Sequence, residues 1–102
     1  MSIKKVFSKT KPVCKVSFAL DLNEINKAEK VAVLGDFNNW NLNEALELKK
    51  AKDGVFKGSI DLPVGKDYEF RYLLDATNWM NDLEADSFVA NAFGVENSVI
   101  KA

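Results

Sequence analysis

The chain has 102 residues, of which 47% are hydrophobic, 28% charged and 11% aromatic. It carries 14 Lys+Arg against 15 Asp+Glu, for a formal net charge of -1, with one cysteine and no histidine. These counts exclude Ser-His-Asp and Cys-His catalysis, His-rich metal sites, an intramolecular disulfide and a Cys-rich zinc cluster.

The length predicts one domain, residues 1–102, large enough to fold alone with little stability to spare. Near-neutral charge leaves no electrostatic footprint for nucleic acid or an acidic membrane. No apolar run has the length of a signal peptide or of a membrane span. The expectation is a soluble, cytoplasmic protein with no cofactor and no metal.

In chain order, residues 14–21 alternate with period two. Val16, Phe18 and Leu20 share one face, and Lys15, Ser17 and Ala19 the other. Cys14 opens this run and reads as a small core residue. Residues 21–29 are polar and read as a loop. Residues 31–35 are an unbroken apolar run, short enough for a buried central strand. They lead into Asp36-Phe37-Asn38-Asn39-Trp40-Asn41, a cluster of turn formers. Phe37 reads as core. Residues 45–49 alternate again, with Leu46 and Leu48 inward. Lys52-Asp53-Gly54 supplies a tight turn, and residues 55–62 form the next strand, with Phe56, Gly58 and Ile60 on one face.

Pro63-Val64-Gly65 makes another turn. Residues 67–75 are the longest strand. Tyr68, Phe70, Tyr72 and Leu74 point one way, and Glu69, Arg71 and Leu73 the other. After Asp75-Ala76-Thr77-Asn78, a strand restarts at Trp79. Residues 83–94 are the most helix-like stretch by composition, although Phe88 and Val89 beside Asn and Gly count against a helix. Residues 97–100 close the chain as a strand. About seven short strands with regular turn signals predict an all-β sandwich.

Two tryptophans fall outside the core parity. Trp40 ends an Asn-rich turn, and Trp79 restarts a strand after one. A tryptophan at a loop edge is either a lid on the core or a platform for a ligand. Flat rings bordered by amides and charges suit a sugar. The C–H face of a pyranose stacks on the ring, and its hydroxyl rim takes amide and charged partners. Asn38, Asn39, Asn41, Asn78, Asn81, Asn91 and Asn97 offer such groups, although turn formation alone explains most of them. Arg71 leaves the core face mid-strand. If Trp79 lies across the hairpin from it, the two make one polar-aromatic patch.

Asp75, Asp82, Glu84 and Asp86 cluster in sequence. Acids in the turns of so short a sandwich offer no cleft for a glycosidase pair, and their spacing matches no calcium loop. No catalytic residue is expected, and the chain reads as a non-enzyme.

The segment Val31-Ala32-Val33-Leu34-Gly35-Asp36-Phe37-Asn38-Asn39-Trp40 resembles a signature of the glycogen-binding, isoamylase N-terminal-like carbohydrate-binding modules. These occur in starch-branching and debranching enzymes and in the β subunit of AMP-activated protein kinase. Asp61-Leu62-Pro63-Val64-Gly65, then Tyr68-Glu69-Phe70-Arg71-Tyr72 with Asp75, resemble the family's DLPxG…YxFKFxVDG stretch. Residues 93–100 resemble its closing strand, and the similarity runs from about Val13 to Lys101.

The resemblance implies an immunoglobulin-like antiparallel β-sandwich and non-catalytic binding of α-1,4-glucan: glycogen, starch or maltooligosaccharide. Its two stacking tryptophans fall on Trp40 and Trp79, its sugar-bonding lysine on Arg71, its apolar wedge on Phe93 and its asparagine on Asn97. A threonine of the family falls on Val95, which has no side-chain hydrogen bond to offer. The family's Asp-Gly turn is replaced by the longer Asp75-Ala76-Thr77-Asn78. These departures keep open an alternative: a protein-interaction or self-associating module, with a partner in trans such as a glucan-metabolising enzyme, that has kept the fold and reduced its sugar binding.

Overall fold

Alternating burial drives this chain into short strands that pair antiparallel and curl into two facing layers. A computed structural model describes residues 2–25 and 27–102. Met1, and Asn26 within the segment read as a loop, lie outside the described residues. The strands are β1 (Ser2–Phe7), β2 (Val13–Leu20), β3 (Val31–Gly35), β4 (Leu46–Lys50), β5 (Phe56–Pro63), β6 (Asp67–Leu74), β7 (Asn78–Met80), β8 (Ser87–Ala90) and β9 (Glu96–Lys101). Their order is β1-β2-β5-β4-β3-β6-β9-β8, with β7 pairing β6.

β4 is the corner. Its residues Leu46 to Leu48 pair with β3, while Lys49 and Lys50 pair with β5. The sheet therefore folds over on itself, with β1-β2-β5 in one layer and β3-β6-β9-β8 with β7 in the other. Aromatic contacts cross between them. The Phe18 ring of β2 lies 5.5 Å from Phe70 and 6.0 Å from Tyr72, both on β6. Tilted and edge-on contacts of this kind suit the ring quadrupoles and fill the space between the layers. The expected all-β sandwich is what forms.

Parity follows the sequence closely in the long strands. Cys14, Val16, Phe18 and Leu20 of β2 are buried, as are Tyr68, Phe70, Tyr72 and Leu74 of β6. Phe37 is half-buried against this core and meets Tyr68 edge-on at 6.4 Å. Gly54 and Gly65 take the positive φ their turns require.

Two strands were not expected. β1 pairs with β2 along its whole length, with Ile3 opposite Phe18, Lys5 opposite Val16 and Phe7 opposite Cys14. That register turns Lys5 toward the core side, which breaks the apolar alternation and hides the strand. The second is β8, inside the helix-like stretch. Phe88 and Val89 favour a strand, and β9 supplies a ladder for residues 87–90.

Lys5 escapes burial by reaching the far layer. Its ammonium donates to the Asp86 carboxylate at 2.8 Å and to the Lys101 carbonyl at 3.1 Å. The Lys101 N–H donates to the same carboxylate at 2.7 Å. Burial works against ionising Asp86, but these two donors outweigh it and hold the carboxyl below its ordinary range. A depressed folded-state value stabilises above the unfolded value of about 4, and the contribution is lost as pH falls through the folded value. Asp86→Asn is therefore expected to lower the melting temperature at pH 7. Melting curves from pH 7 to pH 2.5 check this, because the gap between variant and parent narrows below about pH 4.

Candidate functional site

The outer face of the β3-β6-β9 layer follows from the same alternation that builds the core. Glu69, Arg71 and Leu73 of β6 point away from the other layer. Leu34 of β3 stands opposite Arg71, Val99 of β9 opposite Glu69, and Trp79 of β7 opposite Leu73. Trp79 is thus the diagonal cross-strand neighbour of Arg71, a distance that long side chains span. Leu34, Leu73 and Val99 are buried, yet stand apart from the central core cluster. This outer face therefore has a small apolar patch of its own, next to the tryptophan and arginine.

Trp40 reaches the same face from the turn after β3. A single 3-10 turn covers Asp36–Asn38, and Asn39 and Trp40 both follow at φ 56. Asn38 is buried and structural. It accepts from the Gly35 N–H and donates to the Val33 carbonyl, both at 3.0 Å. Asp36 aims the indole. One oxygen accepts from Trp40 Nε1 at 3.1 Å, and the other accepts from the Glu69 N–H at 2.8 Å. The carboxylate thus ties the turn and its tryptophan to β6.

The hairpin loop between β8 and β9 supplies the third side. Asn91 Oδ1 accepts from the N–H groups of Phe93 at 2.9 Å and Val95 at 3.4 Å. Its Nδ2 donates to Asn97 Oδ1 at 3.0 Å, and Asn97 Nδ2 donates to Glu69 Oε1 at 3.2 Å. Gly94, at φ 79, lets the loop reverse. The loop is held from below, and the Phe93 ring stands 91% exposed at its tip.

The five residues singled out from sequence come together. Trp40, Arg71, Trp79, Phe93 and Asn97 line one open depression of about 600 Å3, joined by Asn91 and Val95. The two indoles lie 6.4 Å apart between centroids and are tilted by 55°. The Arg71 guanidinium carbon is 5.9 Å from the Trp79 ring centroid, within cation–π range. Arg71 Nε is buried and makes no hydrogen bond. A buried donor of this kind costs roughly 1–3 kcal/mol until an acceptor meets it. Trp79 is 46% exposed and Trp40 half-buried. Each ring therefore borders the apolar patch and still offers surface to the solvent.

Asp36 and Asn91 were missed as site-building residues. Asn91 was read with the other asparagines as a turn former, and nothing in a single sequence marks which amide cross-links a loop. Of the remaining amides, Asn41 caps the 3-10 turn at Leu42–Glu44, and Asn81 bonds the Glu96 carbonyl. None of the four clustered acids lines the depression. Asp75 and Asp86 bind backbone and lysine, and Asp82 is buried. Among the described residues no group of three or more His, Cys, Asp or Glu is placed to hold a metal, and no helix is long and apolar enough to cross a membrane.

The hairpin that carries Trp79 holds some strain. Asp75 and Ala76 sit at φ 50 and 58, and the Thr77 N–H closes the turn on the Leu74 carbonyl at 3.1 Å. Asp75 is fixed by its side chain, which accepts from the Glu29 and Lys30 N–H groups at 2.9 Å each. Ala76 has no such compensation. Ala76→Gly is expected to stabilise the protein by about 1 kcal/mol, a rise of several degrees in melting temperature. An unchanged or lower melting temperature would show that the turn is not strained.

Sequence comparison matches residues 20–102 to the family described as the glycogen recognition site of AMP-activated protein kinase. No curated protein matches the sequence.

Proposed function

The chain belongs to the family of the glycogen recognition site of AMP-activated protein kinase, and from that premise we propose that it binds α-1,4-glucan on the outer face of the β3-β6-β9 layer. The observation that carries this reading is the convergence of two tilted indoles, a guanidinium and two amides on one open face. Each element has a task. Trp40 and Trp79 stack on the apolar faces of successive glucose rings, and their tilt suits a chain that curves. Arg71 and Asn97 bond ring hydroxyls. Phe93 wedges against the chain from the loop tip. Val95 adds contact without a hydrogen bond.

In this reading the binding is non-catalytic, in keeping with a family described as a recognition site. Affinity is modest, because a shallow wet face gains little per stacked ring. We place the protein in the cell interior, where storage glucan and a glucan-metabolising partner would be met.

A protein-interaction role is the second reading. Its support is the uncharged β8 edge strand, where Phe88 and Val89 both stand partly exposed. An unguarded edge strand is open to pairing with another chain.

Titration with maltoheptaose, followed by tryptophan fluorescence, tests the first reading. A saturable change is expected at sub-millimolar to millimolar sugar. Trp79→Ala should weaken binding by about tenfold or more while moving the melting temperature by only a few degrees. No response from folded protein, together with a stable complex seen by light scattering, would favour the second reading.

A further inference from the structure

β7 and β9 lie end to end on the same edge of β6. β9 pairs with residues 67–70 of β6 and β7 with residues 72–74, while β3 takes the other edge. No ladder joins β7 to β9, so strand pairing relates Trp79 to Asn97 only indirectly, through β6. β7 has only three residues, and so short a strand does not hold its own position.

A buried polar network bridges the gap from the core side. The Tyr72 hydroxyl donates to Asp82 Oδ2 at 2.5 Å. The Glu84 N–H donates to Asp82 Oδ1 at 2.8 Å. The Asp82 N–H donates to Ser98 Oγ at 3.0 Å, and that hydroxyl donates to Asn81 Oδ1 at 2.9 Å. Asn81 Nδ2 donates to the Glu96 carbonyl at 2.8 Å. Tyr72, Asp82 and Ser98 are fully buried. The segment leaving β7 is thereby tied to β6 through Tyr72 and to β9 through Ser98 and Glu96.

Three members lie close in sequence to residues of the site. Tyr72 follows Arg71, Ser98 follows Asn97, and Asn81 stands two residues beyond Trp79. Strand alternation puts the network on one side and the site on the other. A buried carboxylate is a costly way to fill this space, since apolar side chains of similar volume commonly give equal or greater stability. What a fully bonded network adds is direction: it admits one arrangement of its donors and acceptors.

We propose that Asp82 is the positioning residue of this site, holding the Trp79 indole and the Asn97 amide in fixed relation through Tyr72 and Ser98. The consequence for binding rests on the glucan reading above; the effect on the indoles does not. Asp82→Leu keeps the branched shape but removes both acceptors, so the Tyr72 hydroxyl and the Glu84 N–H lose their partner. Ser98→Ala cuts the link to β9. Leu62→Ala, a buried truncation in the opposite layer, is the control for lost stability alone.

Near-ultraviolet circular dichroism of the indole pair, without sugar and well below the melting temperature, is the first readout. Maltoheptaose affinity is the second. Asp82→Leu and Ser98→Ala are expected to change the indole signal and to weaken binding about tenfold or more, as loss of a supporting shell does elsewhere. Leu62→Ala should lower the melting temperature and change neither. Parental indole signal and affinity in Asp82→Leu would overturn the proposal, as would losses in all three variants that track the melting temperature. Should Asp82→Leu not fold, Ser98→Ala and Tyr72→Phe carry the same comparison. If the parent protein ignores sugar, the glucan reading falls and the indole signal alone decides the positioning claim.

Discussion

Strand β6 runs through the middle of the sandwich with one face in the core and the other in the candidate site. Tyr68, Phe70, Tyr72 and Leu74 fill the space between the layers, and Glu69, Arg71 and Leu73 build the opposite surface. A slip of one residue would exchange the two sets, so burial of the aromatic face fixes Arg71 outward. Its neighbour β3 reinforces the register at Gly35. A Cβ there would stand 2.4 Å from the Glu69 carbonyl oxygen and 2.8 Å from Phe70 Cβ, so only glycine lets the strands approach this closely. Asp36 then takes the Glu69 N–H next to this contact and directs Trp40 over the outer face. Core and site are thus two consequences of one registered pairing.

The site is held in shape by groups beside and beneath its exposed rings. Asp36 pins Trp40, Asn91 shapes the loop of Phe93, and the network around Asp82 ties β7 to β9. Burial keeps the Tyr72 hydroxyl protonated far above its ordinary range, and its hydrogen bond to the Asp82 charge adds to this. It therefore remains a donor at any pH the folded protein meets. Preorganisation of this kind suits a shallow face, which has little binding energy to use for ordering loops. The exposed Phe93 ring shows the other side of that arrangement. Its backbone is bonded on a reversing loop while the side chain stays in water.

Much of this was legible in the sequence, and the reasons for the rest are physical. Alternation alone placed Arg71 outward and Phe70 inward, and the turn residues marked most strand ends. β1 was hidden because Lys5 occupies an inward position and escapes by reaching Asp86 across the sandwich. β8 was obscured because it is an edge strand with little to bury, so Phe88 and Val89 carry no clear parity. For Trp40 and Trp79, lid and platform stayed open because the answer depends on long-range register. Only the pairing of Trp79 with Leu73, through a turn at positive φ, brings it beside Arg71 and within 6.4 Å of Trp40. Asp82 read as one acid in a run, because its burial depends on Tyr72 and Ser98, which lie 10 and 16 residues away.

Glucan binding, as proposed, falls on the outer face of the β3-β6-β9 layer and not on the β1-β2-β5 layer. Nitrogen-detected NMR of the labelled protein during addition of maltoheptaose tests this most directly. Progressive shifts are expected at the indole N–H groups of Trp40 and Trp79, at the Arg71 side-chain N–H and at the amides of residues 91–97, with β1, β2 and β5 unmoved. Shifts confined to the β1-β2-β5 layer, or a spectrum unchanged at saturating sugar, would contradict it.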